Sequence, residues 1–217
     1  MGTGESPCRT RMSTDGTARR VSRSAKRVID IGLSVVALEA ALPVMALLVP
    51  AVKLSSPGPL LFVQERVGKD GRVFKMYKLR TMKMQPDGDQ PLTWTKSDED
   101  RVTPIGRLLR DYGLDELPQL YNILRGDMSI IGPRPPLPAQ VETYTDEQRE
   151  VFEMRPGVLS LAAVEGRRSL TPERRIELHV EYVRSWSLAL DFQILWRSLF
   201  VVLGRQDAVD ALVDGNS

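Results

Sequence analysis

One apolar segment limits how this chain of 217 residues can fold. It runs from Val28 to Leu54, which is long enough for a membrane span of roughly 20 apolar residues. Pro43 interrupts it, because proline has no N–H to donate and its ring clashes with the carbonyl of Glu39, four residues earlier. The segment therefore predicts a helix-break-helix, with a kink or break around Glu39–Pro43.

Both flanks of this segment are basic. Residues 1–28 carry seven Lys or Arg residues against Glu5 and Asp15, and Lys53 lies at the other end. Positive residues favour the cytoplasmic side of a membrane, so a single crossing would leave one basic flank outside. A re-entrant hairpin that enters and leaves on the cytoplasmic face satisfies both flanks. A signal peptide, with small residues in ALPVMA, and a buried pair of soluble helices remain open alternatives.

The composition divides the chain into three parts. Residues 1–24 are rich in Ser, Thr, Gly and Arg and predict a disordered basic arm. Residues 25–54 are predicted to form the membrane hairpin, and residues 55–217 a cytosolic domain that is one structural unit with it. The predicted fold is α+β and mostly helical.

Local signals predict the elements of the third part. Two β-rich runs around Gly68–Gly71 predict a β-hairpin, because Asp-Gly favours a tight turn. Thr103 and Thr171 each precede a proline and predict helix N-caps, and Asp115 predicts another, with its helix ending at Gly126. The other expectations are a loop over 84–100, an extended GPRPPLP stretch, and helices over 138–154, 172–185 and 187–203.

The adjacent carboxylates of Asp115 and Glu116 have two readings. Both residues are favoured at the start of a helix, so capping accounts for the pair by itself. Their surroundings favour chemistry, since five arginines lie within twenty residues of the pair: Arg101, Arg107, Arg110, Arg125 and Arg134. Mg²⁺ usually takes one or two carboxylates plus substrate phosphates, and Arg binds phosphate oxygens bidentately. These residue types together indicate phosphoryl transfer, in which an Asp can itself attack phosphorus.

Other site types are disfavoured by the residues the chain lacks. His179 is the only histidine and Cys8 the only cysteine, which disfavours a Ser-His-Asp site, a multi-His metal site and an intrachain disulfide. The sequence has no Walker A, GxGxxG or CxxC pattern. Its basic residues lack the interleaved aromatics of nucleic-acid binding, so no nucleic-acid partner is expected.

Several blocks of the sequence resemble the bacterial sugar transferase family, the monotopic polyprenyl-phosphate phosphoglycosyl transferases. The resemblance extends from about Lys26 to Gly204 and covers KRVID with its proline-broken segment, SPGPLLFVQERVGKDGRVFKMYKLRTM, RVTPIGRLLRDYGLDELPQLYNILRGDMSIIGPRPP, RPGV and SLALDFQIL. It implies a helical catalytic domain in its minimal form, without the multi-span N-terminal domain of some relatives.

The resemblance also implies a reaction in the class of transferases of phosphorus-containing groups. A sugar-1-phosphate moves from a nucleotide sugar, usually a UDP-sugar, to polyprenyl (undecaprenyl) phosphate, with Mg²⁺ as cofactor and UMP released. This is the first membrane step of polysaccharide or glycoconjugate synthesis, at the cytoplasmic face of the bacterial inner membrane. The sequence names neither the sugar nor the pathway, and it leaves a homo-oligomer open. The rival hypothesis is a non-catalytic membrane-bound adaptor whose basic surface holds lipids or partners.

The residue roles follow by matching motifs. The resemblance makes Asp115 the nucleophile, which forms a covalent intermediate, and Glu116 its partner in holding Mg²⁺. It makes Arg134 of GPRP a phosphate contact. Three further residues match site positions, and they are Lys78 and Arg80 of YKLRTM and Asp191 of LALDF. Strand-face charges for the first two, and a helix cap after Ser187 for Asp191, are the structural alternatives.

The chain departs from the family pattern in two places. Leu42 precedes the proline where small or hydroxyl residues are common, and Glu39 is a costly carboxylate in an apolar segment. After RPG, the usual Thr-Gly and amide-rich run is replaced at Leu159, Ser160, Ala163 and Glu165, among others. These departures leave the selection of sugar and nucleotide undecided.

Overall fold

A computed structural model of the chain describes residues 11–84, 96–166 and 170–202. Over these residues the fold is α+β and mostly helical, as predicted. The helices are α1 (Arg11–Ser55), α2 (Lys96–Arg101), α3 (Pro104–Asp111), α4 (Gln119–Arg125), α5 (Pro138–Val141), α6 (Leu161–Glu165), α7 (Pro172–Ser185) and α8 (Leu188–Val202). The strands are β1 (Leu61–Val67), β2 (Val73–Leu79), β3 (Ser129–Ile131) and β4 (Gly157–Leu159).

The first helix, α1, differs from the prediction. It is one helix from Arg11 to Ser55 and includes both Pro43 and Pro50, so the prediction of a break at Pro43 is wrong, whereas a kink within the continuous helix stays a prediction. A proline removes one hydrogen bond from the ladder, and the neighbouring turns of an apolar helix keep theirs, so the helix continues. The helix also covers residues 11–24 of the predicted arm, whereas residues 1–10 lie outside the described part of the chain.

The apolar part of α1 packs on the rest of the protein at its two ends. The buried residues near its start are Lys26, Asp30 and Ser34, and those near its end are Leu48 and Val52. Between these ends, residues 35–44 are exposed except for Ala41. The middle of the helix thus presents an apolar surface that the protein itself does not cover.

The predicted β-hairpin is confirmed, with β1 and β2 paired antiparallel along their whole length. Its turn has positive φ at Asp70 (58°) and Gly71 (73°), as a type I′ turn requires. Since side chains alternate along a strand and the register is known, Gln64, Arg66 and Lys78 share one face of the hairpin. This face turns towards the loop that follows β3.

The loop after β3 starts from an unusually close pair of strands. β3 and β4 pair in parallel. A Cβ on Gly132 would overlap the carbonyl oxygen of Arg155, and a Cβ on Gly157 would overlap the backbone nitrogen of Gly132. The two glycines therefore allow a close backbone approach just before the loop that carries Arg134. Residues 133–137 contain no helix or strand.

Two of the predicted caps are confirmed by hydrogen bonds. Thr103 Oγ1 accepts from the Gly106 N–H at 3.0 Å, and Thr171 Oγ1 accepts from the Arg174 N–H at 3.2 Å. The predicted helix 172–185 is confirmed, and the one predicted over 187–203 covers Leu188–Val202.

The helix predicted over 138–154 is wrong. α5 ends at Val141, and Gln148–Glu153 forms a separate 3₁₀ turn. The Thr145 N–H donates to Gln148 Oε1 at 3.0 Å, and the Gln148 N–H donates to Thr145 Oγ1 at 3.3 Å. This reciprocal pair starts a new turn, which the prediction missed. In the predicted loop 84–100, α2 occupies the end, and residues 85–95 lie outside the described part of the chain.

Two apolar clusters hold the segment between α3 and α4 and the helix that follows it. One joins α1 to the hairpin and α3, and Leu114 and Leu117 pack against it. The other joins β2 to α4, and Leu120 packs against it. A third cluster, around Tyr182, joins β3 to α6, α7 and α8. The segment that carries the acidic pair is therefore held by Leu114 and Leu117 in the first cluster, and α4, which follows it, is held by the second.

Candidate active site

The acidic pair lies on a tight turn and not at the start of an α-helix. Gly113 is left-handed with φ of 67°, and Leu114–Glu116 form a 3₁₀ turn. α4 begins only at Gln119, with Pro118 at its N-cap and no side chain capping it. The predicted N-cap role of Asp115 is therefore wrong, and helix capping does not explain this carboxylate.

Lys78 brings a positive charge to both carboxylates. Its Nζ donates to Glu116 Oε1 at 2.6 Å and lies 4.0 Å from Asp115 Oδ2. The three side chains are largely buried, with exposed fractions of 15% for Lys78, 12% for Asp115 and 22% for Glu116. Salt screens the attraction between Lys78 and these buried carboxylates far less than it screens an ion pair on the surface.

The two carboxylates are shifted in opposite directions. Burial raises the pKa of Asp115, and although Lys78 opposes this, the charge of Glu116 adds to the rise. Burial also works to raise the pKa of Glu116, but Lys78 and Arg134 together bring that pKa below its ordinary value. A pair of acids with separated pKa values is typical of sites in which the two have different roles.

Arg134 joins the same group of charges from the loop after β3. Its charge contributes to the lowered pKa of Glu116 and, after the larger effect of burial, to the lowered pKa of Lys78. One cavity lies between the hairpin, the start of α4 and this loop, and it is lined by Arg66, Met76, Lys78, Glu116, Gln119, Arg134, Pro135, Gly157 and Val158. The structure thus brings together the acidic pair, Lys78 and Arg134.

Arg80 lies elsewhere, although it is only two positions after Lys78. It is 3% exposed, and its guanidinium donates to backbone carbonyls. The acceptors are Pro59 O at 2.6 Å, Ser56 O at 2.6 Å and Val52 O at 3.2 Å. These contacts join the end of α1 to β2, so the structure places Arg80 in the packing of α1 and not in the cavity.

Asp191 belongs to a separate buried cluster. It accepts hydrogen bonds from Lys26 Nζ at 2.7 Å, Tyr182 OH at 2.6 Å and Trp186 Nε1 at 3.2 Å. It does not cap α8, because Ser187 Oγ accepts from the Leu190 N–H instead. Asp191 therefore ties the start of α1 to α7 and α8, away from the residues that line the cavity.

The donor set available for a divalent cation is the acidic pair itself. The described residues contain no group of three or more His, Cys, Asp or Glu side chains that could hold a metal ion. Mg²⁺ needs only one or two carboxylates when substrate phosphates complete its coordination. Among the described residues, the cation that Asp115 pairs with, Lys78 at 4.0 Å, is farther away than the same cation is from Glu116, at 2.6 Å. Asp115 and Glu116 thus fit Mg²⁺ bound jointly with a phosphate-bearing substrate.

Sequence reasoning missed two residues that line the cavity and one that pairs with Asp191 in the separate cluster. Arg66 and Gln119 line the cavity, and Lys26 is the partner of Asp191. The spacing of Gln64, Arg66 and Lys78 on one predicted hairpin face was the signal that could have found Arg66. No local signal pairs Lys26 with Asp191, because 165 positions separate them.

Comparison with known proteins gives a consistent result. A family described as "Bacterial sugar transferase" matches residues 21–205. The chain is 40% identical over 192 residues to the UDP-glucose:undecaprenyl-phosphate glucose-1-phosphate transferase of Escherichia coli (strain K12), covering 83% of this chain and 40% of that protein. A protein of the same name in Caulobacter vibrioides is 40% identical over 191 residues, covering 84% of this chain and 71% of that protein. The undecaprenyl-phosphate galactose phosphotransferase of Salmonella typhimurium is 36% identical over 205 residues, covering 88% and 43%.

Proposed function

The chain belongs to the bacterial sugar transferase family, and we propose that it transfers a sugar-1-phosphate from a UDP-sugar to undecaprenyl phosphate. The observation that carries this proposal is the turn bearing Asp115 and Glu116, held in the fold with Lys78 and facing Arg134. Since the chain spans only 40% of the Escherichia coli relative and 71% of the Caulobacter relative, the reaction is proposed for this chain on its own site. The product would enter polysaccharide or glycoconjugate synthesis as its first membrane-bound intermediate.

In the proposed mechanism Asp115 is the nucleophile. One carboxylate oxygen attacks the phosphorus that bears the sugar, the bond from this phosphorus to the bridging oxygen breaks, and UMP leaves with that oxygen. An oxygen of the lipid phosphate then attacks the same phosphorus and displaces the carboxylate, which regenerates Asp115. Burial, which raises the pKa of Asp115, makes this carboxylate a stronger nucleophile than one in water.

The neighbouring charges have separate roles in this mechanism. Glu116, whose pKa is lowered, stays ionised and orients Lys78. Arg134 presents a planar fork of donors that suits two oxygens of one phosphate. Asp115 and Glu116 would hold Mg²⁺, which supplies charge neutralisation for the phosphates when bound.

The apolar helix and the family indicate membrane association, and we propose that both ends of α1 lie on the cytoplasmic face of the inner membrane. Ser22–Ser55 is the one helix in the described residues that is long and apolar enough to cross a membrane. From Lys26 to Val52 a straight helix is about 39 Å long, more than the roughly 30 Å of the hydrocarbon core. Both ends pack on the same domain. A full crossing would therefore pull part of that domain into the bilayer. The re-entrant path requires α1 to bend between its two ends, and Pro43, in the exposed middle, is where we propose that it bends.

The reaction is tested by nucleotide release. Purified protein is given undecaprenyl phosphate, Mg²⁺ and each of a panel of UDP-sugars, and UMP is measured beside the lipid-linked sugar. We expect one UDP-sugar to give equal amounts of both products. No release from any sugar would contradict the proposal and favour the non-catalytic adaptor.

The membrane path is tested separately with tags at residues 5 and 215. Both tags should be accessible only from the cytoplasmic side. Labelling of either tag from the periplasmic side of intact cells would contradict the re-entrant path. A stable product cleaved near Ala46 would support a signal peptide instead.

A further inference from the structure

The loop that carries Arg134 is held by its carbonyl groups. Pro133, Pro135 and Pro136 have no N–H, so they can be fixed only as hydrogen-bond acceptors. The Gly157 N–H donates to Pro133 O at 3.0 Å, and the Val67 N–H donates to Pro136 O at 3.0 Å. Backbone groups of β4 and β1 therefore hold the loop on the two sides of Arg134.

Arg66 holds the loop at a point between the hydrogen bonds to Pro133 O and Pro136 O. Its Nη1 donates to Pro135 O at 3.0 Å, the carbonyl directly after Arg134. Each proline carbonyl of the run Pro133, Pro135 and Pro136 thus has a donor, and the one from Arg66 comes from a side chain. Arg66 also lines the cavity that Arg134 lines. It therefore holds the backbone next to Arg134 and also shares the cavity with the Arg134 side chain.

Gln64 fixes the guanidinium of Arg66. Arg66 Nε and Nη2 donate to Gln64 Oε1 at 3.1 and 2.6 Å, and Gln64 is 6% exposed. The two residues are neighbours on one hairpin face because strand side chains alternate. The planar fork of Arg66 can reach Gln64 and Pro135 at once, which a lysine with one nitrogen cannot do.

The charges indicate why a rigid holder is needed. The cavity is lined by three cations, Arg66, Lys78 and Arg134, and by one carboxylate, Glu116. Burial lowers the pKa of Arg66 to about 10, and the charge of Arg134 contributes to this shift. Two guanidinium groups that repel each other separate unless the structure holds them. A diphosphate offers two anionic groups for such a pair.

We propose that Arg66, held by Gln64, is a positioning residue that fixes Arg134 for the diphosphate of the nucleotide sugar. This inference rests on the proposed function for its substrate. The clamp itself, in which Gln64 holds Arg66 and Arg66 holds the Pro135 carbonyl, is a property of the fold. It predicts that Arg66 acts through Arg134 and not independently of it.

The first test is a double-mutant cycle on kcat/KM for UMP release. Arg66→Lys keeps the charge and loses the fork, so we expect roughly a 10- to 100-fold loss, mainly in KM for the UDP-sugar. In an Arg134→Lys background the same change should cost less than about twofold, because the group it positions has gone. Gln64→Met should act in the same direction as Arg66→Lys. Arg72→Lys is the matched control, an exposed arginine on the same hairpin, and it should have no effect.

The second test does not depend on activity. Hydrogen exchange of a peptide covering residues 129–137 should become faster in Arg66→Lys and stay unchanged in Arg72→Lys, with both variants melting near wild type. Unchanged exchange, or independent and multiplicative effects in the cycle, would overturn the clamp. If wild type releases no UMP while hydrogen exchange is faster in Arg66→Lys, the proposed function would be refuted and the clamp would stand.

Discussion

Asp115→Asn separates a nucleophile from a structural residue, because the two side chains have nearly the same shape. Lys78 Nζ lies 4.0 Å from Asp115 Oδ2, and at an effective dielectric of about 20 this attraction is about 4 kcal/mol. Burial and repulsion from Glu116 oppose it, and the pKa of Asp115 is raised, so the opposing effects are larger. The negative charge on Asp115 is therefore unfavourable to the fold, and its removal should not destabilise the protein.

The pH dependence of this difference has a definite sign. The pKa of Asp115 is higher in the folded state than in the unfolded state, where it is about 4. Asp115 therefore stabilises the fold at pH below about 4, and this contribution is lost as the pH rises through the pKa of the folded state. Asparagine does not titrate and shows no such loss. The melting temperature of Asp115→Asn relative to wild type should rise with pH above about 4. At pH 7 it should equal or exceed the wild-type value, by no more than about 4 °C for a chain of this length.

The chemical outcome should be the opposite. Wild type given a UDP-sugar and Mg²⁺ without lipid should gain the mass of a sugar phosphate on the peptide containing Asp115, and the variant should not. Turnover of the variant should fall at least about 1000-fold, as for other enzymes that lose their nucleophile. Asp111→Asn, an exposed carboxylate at the end of α3, is the matched control and should keep both signals. Near-normal turnover of well-folded Asp115→Asn would refute the covalent mechanism.

Three further predictions concern other charges. Glu116→Gln should lower stability at pH 7 by about 3 kcal/mol, because it leaves Lys78 buried without its closest partner. The pKa of Glu116 is lowered in the folded state. Its stabilisation is therefore present above the pKa of the unfolded state and is lost as the pH falls through the pKa of the folded state, so wild type and Glu116→Gln should have the same melting temperature in acid. Lys26→Met and Asp191→Asn should show a coupling energy of about 1–3 kcal/mol in a double-mutant cycle on thermal unfolding, and additive effects would contradict their pairing. Glu39→Gln should keep membrane association and turnover, measured by flotation with vesicles and by UMP release, because a neutral side chain avoids the roughly 2.5–3.5 kcal/mol that a charge costs in hydrocarbon.

Features that depend on near neighbours in the chain were predictable. The hairpin follows from Asp70-Gly71, whose backbone adopts the conformation that this dipeptide favours. The caps at Thr103 and Thr171 follow from a hydroxyl and a proline placed next to each other. The acidic pair of Asp115 and Glu116 was identifiable by adjacency alone, although the turn that holds it was not. Its 3₁₀ turn packs, through Leu114 and Leu117, on an apolar cluster formed by α1, the hairpin and α3.

Features that depend on distant partners were decided by the tertiary structure. Lys78 and Arg80 look equivalent in the sequence, but β2 ends at Leu79. Beyond that point the chain leaves the strand, and Arg80 meets carbonyls freed at the end of α1 while Lys78 meets Glu116. Asp191 likewise received its role from Lys26, 165 positions away. Residue types and short spacings determine local conformation and the chemistry available. Which charges share one buried space depends on how the elements pack, because that packing alone brings distant side chains within hydrogen-bond distance.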